Sequence, residues 1–449
     1  MATDTLMNET TLPVPPRVRR AQVLSLTLLV ASGIVNYMDR GTLAVANSAI
    51  RQEMGVSLVQ MGWLLSAFAW SYALAQLPVG AMVDRIGPRR LLGFGLVIWS
   101  LAQAAGGLVH SFTQFVASRT ILGLGEAPQF PSAARVVSNW FPVRERGLPT
   151  GVFNSASPLG SALAPPLLTL LIVYLNWRWM FVLMGVLGLV MAAVWFALYR
   201  DPSSFNLDAT EAAYLNEGAV ADTKSTEKLG LRDWLALFRH LTTWGMILGF
   251  FGSVYLNWVY LTWLPGYLTQ ARGMDLVTTG FAASVPFFCG FVGCLVAGWF
   301  SDKLTRKSAS PIAGRKLPIV LAMLGMAGFT VPAALVQSNV IALACISVVI
   351  FLANASSASA WALATAAAPS NRIASLGSLQ NFGGFLGGAL APIVTGYIAQ
   401  SFSFVPALLT GAAIAFLGAL SYLFLVHKPI PAHEAALHGT GLRAAEKAT

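Results

Sequence analysis

Charge is what this sequence has least of. Of its 449 residues only 10% are Asp, Glu, Lys or Arg, while 56% are hydrophobic. A soluble domain carries about 25% charged residues, so this chain cannot cover the surface of the two or three soluble domains its length would otherwise suggest. Cysteine is scarce too. Cys289, Cys294 and Cys345 fall in apolar runs, match no metal spacing and define no disulfide framework, which leaves them as small packing residues. The five histidines (His110, His240, His427, His433 and His438) sit in loops, edges or tails. Neither a histidine–metal cluster nor a Ser–His–Asp arrangement can be assembled from them at membrane depth, so an enzyme, a metal and a cofactor are not expected. The net charge of +10 is spread over short loops between apolar runs rather than clustered on a soluble face, which argues against nucleic acid as a partner.

Long apolar runs are what the chain does have. A helix that crosses hydrocarbon needs about 20 such residues. Runs of this kind lie near 22–46, 58–82, 91–109, 112–137, 147–174 and 178–199, then near 243–269, 277–300, 316–336, 338–366, 372–400 and 402–426. A polar stretch from Arg200 to about His240 separates the two sets. The expected fold is therefore all-α, with twelve transmembrane helices in two six-helix bundles. It divides into a tail (1–21), a first bundle (22–199), a linker (200–242), a second bundle (243–426) and a second tail (427–449). With both termini placed in the cytoplasm, 22 of the 28 basic residues fall in the tails and even-numbered loops, as the positive-inside rule requires. The first run contains Asn36, Asp39 and Arg40 and has no small-residue cleavage site, so it reads as a retained span.

Two internal repeats support the division. "GAMVDRIGPRR" (80–90) follows the second run, and "AGWFSDKLTRK" (297–307) follows the eighth; in each, Asp comes four residues after Gly and basic residues follow. "NSASPLGSALAP" (154–165) aligns without gaps to "NFGGFLGGALAP" (381–392), matching Asn154 to Asn381, Gly160 to Gly387 and Pro165 to Pro392. Two halves related by a pseudo-twofold axis usually hold a binding site between them near the bilayer midplane.

The chain resembles a major facilitator superfamily transporter over essentially its whole length. "GAMVDRIGPRR" resembles the superfamily's loop motif that latches neighbouring helices in one state, which implies latch roles for Gly80, Asp84, Arg85 and Arg89, and for Asp302 in the second copy. "NYMDR" (36–40), "SAFAWSYALAQLPVG" (66–80), "GEAPQFP" (125–131) and "NWFPVRERG" (139–147) together resemble the anion:cation symporter family, which includes galactonate, glucarate and hexuronate transporters. The resemblance implies a bacterial inner-membrane protein that works as a monomer, taking up a small organic anion with a proton.

Four ionisable residues at membrane depth carry the chemistry: Asp39, Arg40, Arg119 and Glu126. Each isolated charge would cost roughly 2.5–3.5 kcal/mol on insertion scales, so they should face one another or a wet cavity. Arg119 and Glu126 are nearly two turns apart, about 10 Å along one helix. Each therefore needs a partner from elsewhere, and the first span offers Asp39 and Arg40. A buried ion-pair network that only fixes two helices together is the bland alternative. Burial favours a neutral carboxyl and a nearby arginine favours the charged one, so a rearranging network can take up and release a proton.

By the resemblance, Arg40 binds the substrate carboxylate bidentately, and Glu126 is the proton site linked to substrate. Asp39 is a second protonatable group, paired with Arg119 when ionised. Tyr37, Tyr72, Asn154, Ser157 and Asn381 are expected to hydrogen-bond in the cavity, with Trp361 as a wall. Packing for Tyr72, and helix–helix hydrogen bonding for Asn154 and Asn381, are the bland alternatives. Where family members that handle sugar acids are expected to carry a long amide near Ser157 and polar residues in the tenth span, this chain has "SSASAWALA" (356–364). A sugar acid (hexonate, hexarate or hexuronate) is the first expectation and another carboxylate, such as an aromatic acid, the second. A proton-driven drug exporter is the third, disfavoured by two arginines in the cavity.

Overall fold

The computed structural model describes residues 14–142, 145–217, 235–307, 311–368 and 373–431. These residues form fifteen α-helices and, among them, no strand. The first half contains α1 (Pro16–Val45), the short α2 (Asn47–Met54), α3 (Leu58–Ile86), α4 (Pro88–Gly106), α5 (Phe112–Glu126), α6 (Gln129–Trp140), α7 (Gly147–Tyr174) and α8 (Trp177–Leu198). The linker forms α9 (Ala209–Leu215). The second half contains α10 (Leu241–Gln270), α11 (Leu276–Lys307), α12 (Pro311–Leu335), α13 (Asn339–Ala367), α14 (Ile373–Ser401) and α15 (Phe404–Leu425).

Among the described residues, ten segments are long and apolar enough to cross a membrane. The remaining two expected spans are α4, whose first turn carries Arg89 and Arg90, and the α5–α6 pair, which is one span broken in two. The chain thus has the twelve-span, all-helical architecture. Two details differ from the sequence expectation: the fourth run is two helices, and α2 was not foreseen because its eight residues are largely polar.

Local chemistry sets the boundaries. Ser57 and Gln60 form a capping box at the start of α3, and Ser111, Asn176 and Ser338 each accept a backbone N–H at the start of α5, α8 and α13. These caps satisfy helix-end donors that would otherwise be orphaned. Gly87, at φ 86°, lets α3 turn directly into α4, which opens on Pro88.

The two halves pack alike. In the first, α1 lies on α7, α3 on α5, and α4 on α8; in the second, α10 lies on α14, α11 on α13, and α12 on α15. The aligned glycines explain part of this symmetry. A Cβ on Gly160 would sit 2.8 Å from the Tyr37 Cβ, and one on Gly387 would sit 2.6 Å from the Phe251 carbonyl oxygen. Small residues at these points let the helices of each pair approach closely.

The halves meet through α3 with α14, α7 with α11 and α1 with α10. Among the described residues, every hydrogen bond joining them lies toward the face opposite the basic loops. Ser48 bonds Thr269 (3.1 Å), Arg51 donates to Gln270 (2.6 Å), the Val59 N–H donates to Gln400 (3.0 Å) and Ser66 donates to the Ala389 carbonyl. Backbones are close here too, since a Cβ on Gly62 would lie 2.6 Å from the Pro392 oxygen and one on Gly396 2.6 Å from the Leu58 oxygen. Deeper in, Trp258 stacks on Phe68 (6.5 Å) and Phe385 meets Tyr72 (5.3 Å).

Candidate substrate and proton site

The site is organised by a helix break. Pro131 has no N–H to give the Ala127 carbonyl, its partner four residues back, and Pro128 likewise cannot donate within the turn. The helix therefore ends at Glu126 and restarts at Gln129. The freed Ala127 carbonyl accepts instead from the Gln76 amide of α3 (3.1 Å). A side-chain donor replacing the lost helical bond lets non-helical backbone persist at membrane depth. The break presents Glu126, fully buried, toward α1.

There Glu126 meets Arg40. The Arg40 Nε donates to the Glu126 carboxylate at 2.8 Å, with the Arg40 side chain only 9% exposed. The guanidinium also lies against three rings, 4.5 Å from the centroid of Tyr37, 4.8 Å from Phe68 and 4.9 Å from Tyr72. Cation–π attraction of this kind strengthens when water is excluded. Phe68 and Tyr72 are the same rings that α10 and α14 cover with Trp258 and Phe385. The cationic centre of the first half is thus in contact, ring by ring, with the seal between the halves.

The other expected pair is arranged differently. Asp39 and Arg119 are both buried, and the Trp99 indole, Arg119 and Glu126 are the polar neighbours of Asp39. Yet among the described residues no carboxylate lies within ion-pair distance of Arg119. Arg119 donates to the Thr42 hydroxyl at 3.3 Å and rests over Phe181 (4.7 Å). Both Asp39 carboxylate oxygens, the free Glu126 oxygen, one Arg40 nitrogen and both side-chain polar atoms of Asn36 lack a hydrogen-bond partner among the described residues. So many polar atoms left over in one buried cluster fit a network that re-pairs rather than a finished structural clamp.

Of the remaining expected residues, Tyr37 and Tyr72 join Arg40. Asn381 is half-buried on α14, one turn before the Phe385 that meets Tyr72. Asn154 and Ser157 lie one turn apart on α7; Asn154 is exposed and gives one amide hydrogen to the Thr150 carbonyl (2.9 Å). Trp361 is 47% exposed, edge-on to Phe250. The loop-motif residues lie elsewhere. Asp84 pairs with Arg135 at 3.6 Å between exposed side chains, and Arg89 donates to the Phe196 carbonyl (2.8 Å). Arg85 joins them in lining a cavity of about 690 Å³ on the basic face. Among the described residues, Gly80 has no neighbour within 4 Å of where a Cβ would be. Asp302 falls on α11, but its side chain lies outside the described residues.

Comparison with known proteins identifies the family. The profile described as Major Facilitator Superfamily matches residues 29–391. The chain belongs to the major facilitator superfamily. Among curated relatives of this superfamily member, the probable L-galactonate transporter of Escherichia coli K12 is 42% identical, covering 93% of this chain and 94% of that one. The D-galactonate transporter of Escherichia coli O6:H1 is 35% identical, over 91% and 96%. A solved bacterial homologue of the human lysosomal transporter Spinster, described as inward-facing and occupied, superposes with a TM-score of 0.73 at 16% identity, over 90% of this chain and 97% of that one. This member is a multi-pass membrane transporter, not an enzyme, and its family matches the resemblance carried by the four motifs.

Sequence reasoning missed Phe68, Trp258 and Phe385 as parts of the site, and Thr42, with its donor Gln103, beside it. Phe68 was within reach, being one turn before Tyr72 on the same face. An aromatic in an apolar run carries no such signal by itself.

Proposed function

We propose that this transporter takes up an organic anion, foremost a sugar acid of the hexonate class, together with a proton, by alternating access. The observation that carries the reading is the Arg40–Glu126 pair within its aromatic cage. An arriving carboxylate competes with Glu126 for Arg40. A displaced Glu126, buried and without its cation, is driven to take a proton. Substrate and proton therefore load together, and Asp39 offers a second carboxyl for the same traffic. The galactonate relatives favour a polyhydroxylated acid. With both termini in the cytoplasm, as the basic loops favour, the sealed face is external and the conformation described here is open to the cell interior. No oligomer is needed to complete the site, so the working unit is a monomer.

The test is uptake of radiolabelled galactonate, glucarate and glucuronate into proteoliposomes under an inward proton gradient. Accumulation abolished by a protonophore is expected. Accumulation of none of these acids, or accumulation indifferent to the protonophore, would overturn the proposal.

A further inference from the structure

The Thr42 hydroxyl is saturated in a particular way. It donates to the Asp39 backbone carbonyl (2.6 Å), and it accepts from Gln103 of α4 (3.1 Å) and from Arg119 of α5 (3.3 Å). One hydroxyl hydrogen and two lone pairs are thereby all used. Thr42 and Gln103 are fully buried, and Thr42 follows Asp39 by one helical turn, on the same face of α1. Arg119 therefore has two acceptors stacked along α1: the hydroxyl it occupies here and the Asp39 carboxylate, whose oxygens have no other partner among the described residues.

We infer that Thr42, held in place by Gln103, is a positioning residue that takes Arg119 away from Asp39 and so lets that carboxyl hold a proton. This rests on the reading of Asp39 as part of a proton path. The charged groups around Asp39 are few enough to follow. Arg40 comes from α1 itself, and Arg119 and Glu126 from α5. The α4 face brings Trp99 and Gln103, the α8 face Phe181, and neighbouring α3 the phenol of Tyr72 beside Arg40. Among the described residues, the only cation with a choice between Asp39 and a neutral acceptor is Arg119. Without the hydroxyl, Arg119 keeps a single acceptor on α1, the ionised carboxylate. Pairing with a cation favours the charged form of a carboxyl, so more protons are then needed to load the site.

The experiment measures proton-driven uptake against pH in proteoliposomes, together with counterflow exchange at equal pH on both sides. It uses whichever of galactonate, glucarate or glucuronate the wild type accumulates. Thr42→Val, nearly isosteric but without the hydroxyl, is expected to move half-maximal uptake to lower pH by about one unit while exchange continues. Thr42→Ser should keep the wild-type profile. If Thr42→Val gives no folded protein, Thr42→Ala carries the same expectation. A wild-type profile in the Val or Ala variant, or a Ser variant shifted as far as Val, would overturn the inference while leaving proton symport intact. A wild type that accumulates none of the acids, or shows no pH dependence, would instead remove the symport reading and this inference with it.

Discussion

Arg40 shows how much one side chain does in this transporter. Its guanidinium is at once the partner of Glu126 and the filling of a cage of Tyr37, Phe68 and Tyr72. A lysine cannot reproduce the planar fork or the ring contacts. Arg40→Lys is therefore expected to weaken anion binding roughly tenfold to hundredfold, the range of one lost charge-assisted hydrogen bond, as read by substrate-dependent thermal stabilisation of the purified protein. Unchanged affinity would remove Arg40 from the binding site. The residues of this centre differed in how legible they were. Arg40, Glu126, Asp39 and Arg119 stood out because charge in an apolar run is costly and needs a reason. Thr42 and Gln103 did not, because a threonine bonding back to the carbonyl three residues before it has a local explanation on any helix. Its second role appears only when α4 and α5 are brought beside it.

At the scale of elements, the spans could be read from the sequence because hydrocarbon thickness fixes their length, and the aligned repeat reappears in the matching packing of α7 on α1 and of α14 on α10. The break between α5 and α6 was written in Pro128 and Pro131, but which donor would relieve it was not, since Gln76 lies 51 residues away in the chain. The short α2 escaped notice for want of an apolar stripe. It is tied to α8 through Glu53, which accepts from the Trp177 indole N–H and from Arg178 (2.8 Å). The Trp177 hydrogen bond, with Arg178 behind it, holds the Glu53 carboxyl below the ordinary glutamate value. A carboxyl depressed in the folded state contributes stability that is present above its unfolded value and is lost as pH falls through its folded value. Glu53→Gln is thus expected to lower the melting temperature slightly near pH 7, with the difference from wild type shrinking as the pH is taken well below the ordinary glutamate value. The effect should be small because Glu53 is half-exposed. An equal deficit at neutral and low pH would assign the effect to packing rather than charge.

At the scale of the whole molecule, the two halves close against each other on one face, and the closure reaches the Arg40 cage through Trp258 and Phe385. That closure depends on bare backbone at Gly62 and Gly396. Gly62→Ala would force a methyl against the Pro392 carbonyl and is expected to disfavour this conformation by roughly 1–3 kcal/mol, the usual cost of overpacking. With Cys289, Cys294 and Cys345 replaced by serine and a reporter Ser48→Cys at the seal, thiol labelling should be faster in the Gly62→Ala chain. Equal labelling would mean that the halves part elsewhere.

The central claim is that substrate displaces Glu126 from Arg40 and that the proton Glu126 then takes is the coupled one. The most direct measurement is substrate-induced proton entry into proteoliposomes, followed with a pH-sensitive dye, for wild type and Glu126→Gln, with galactonate exchange measured in the same vesicles. The account predicts that galactonate drives proton entry in the wild type, and that Glu126→Gln still exchanges galactonate but moves no protons with it. Proton entry undiminished in Glu126→Gln would contradict it.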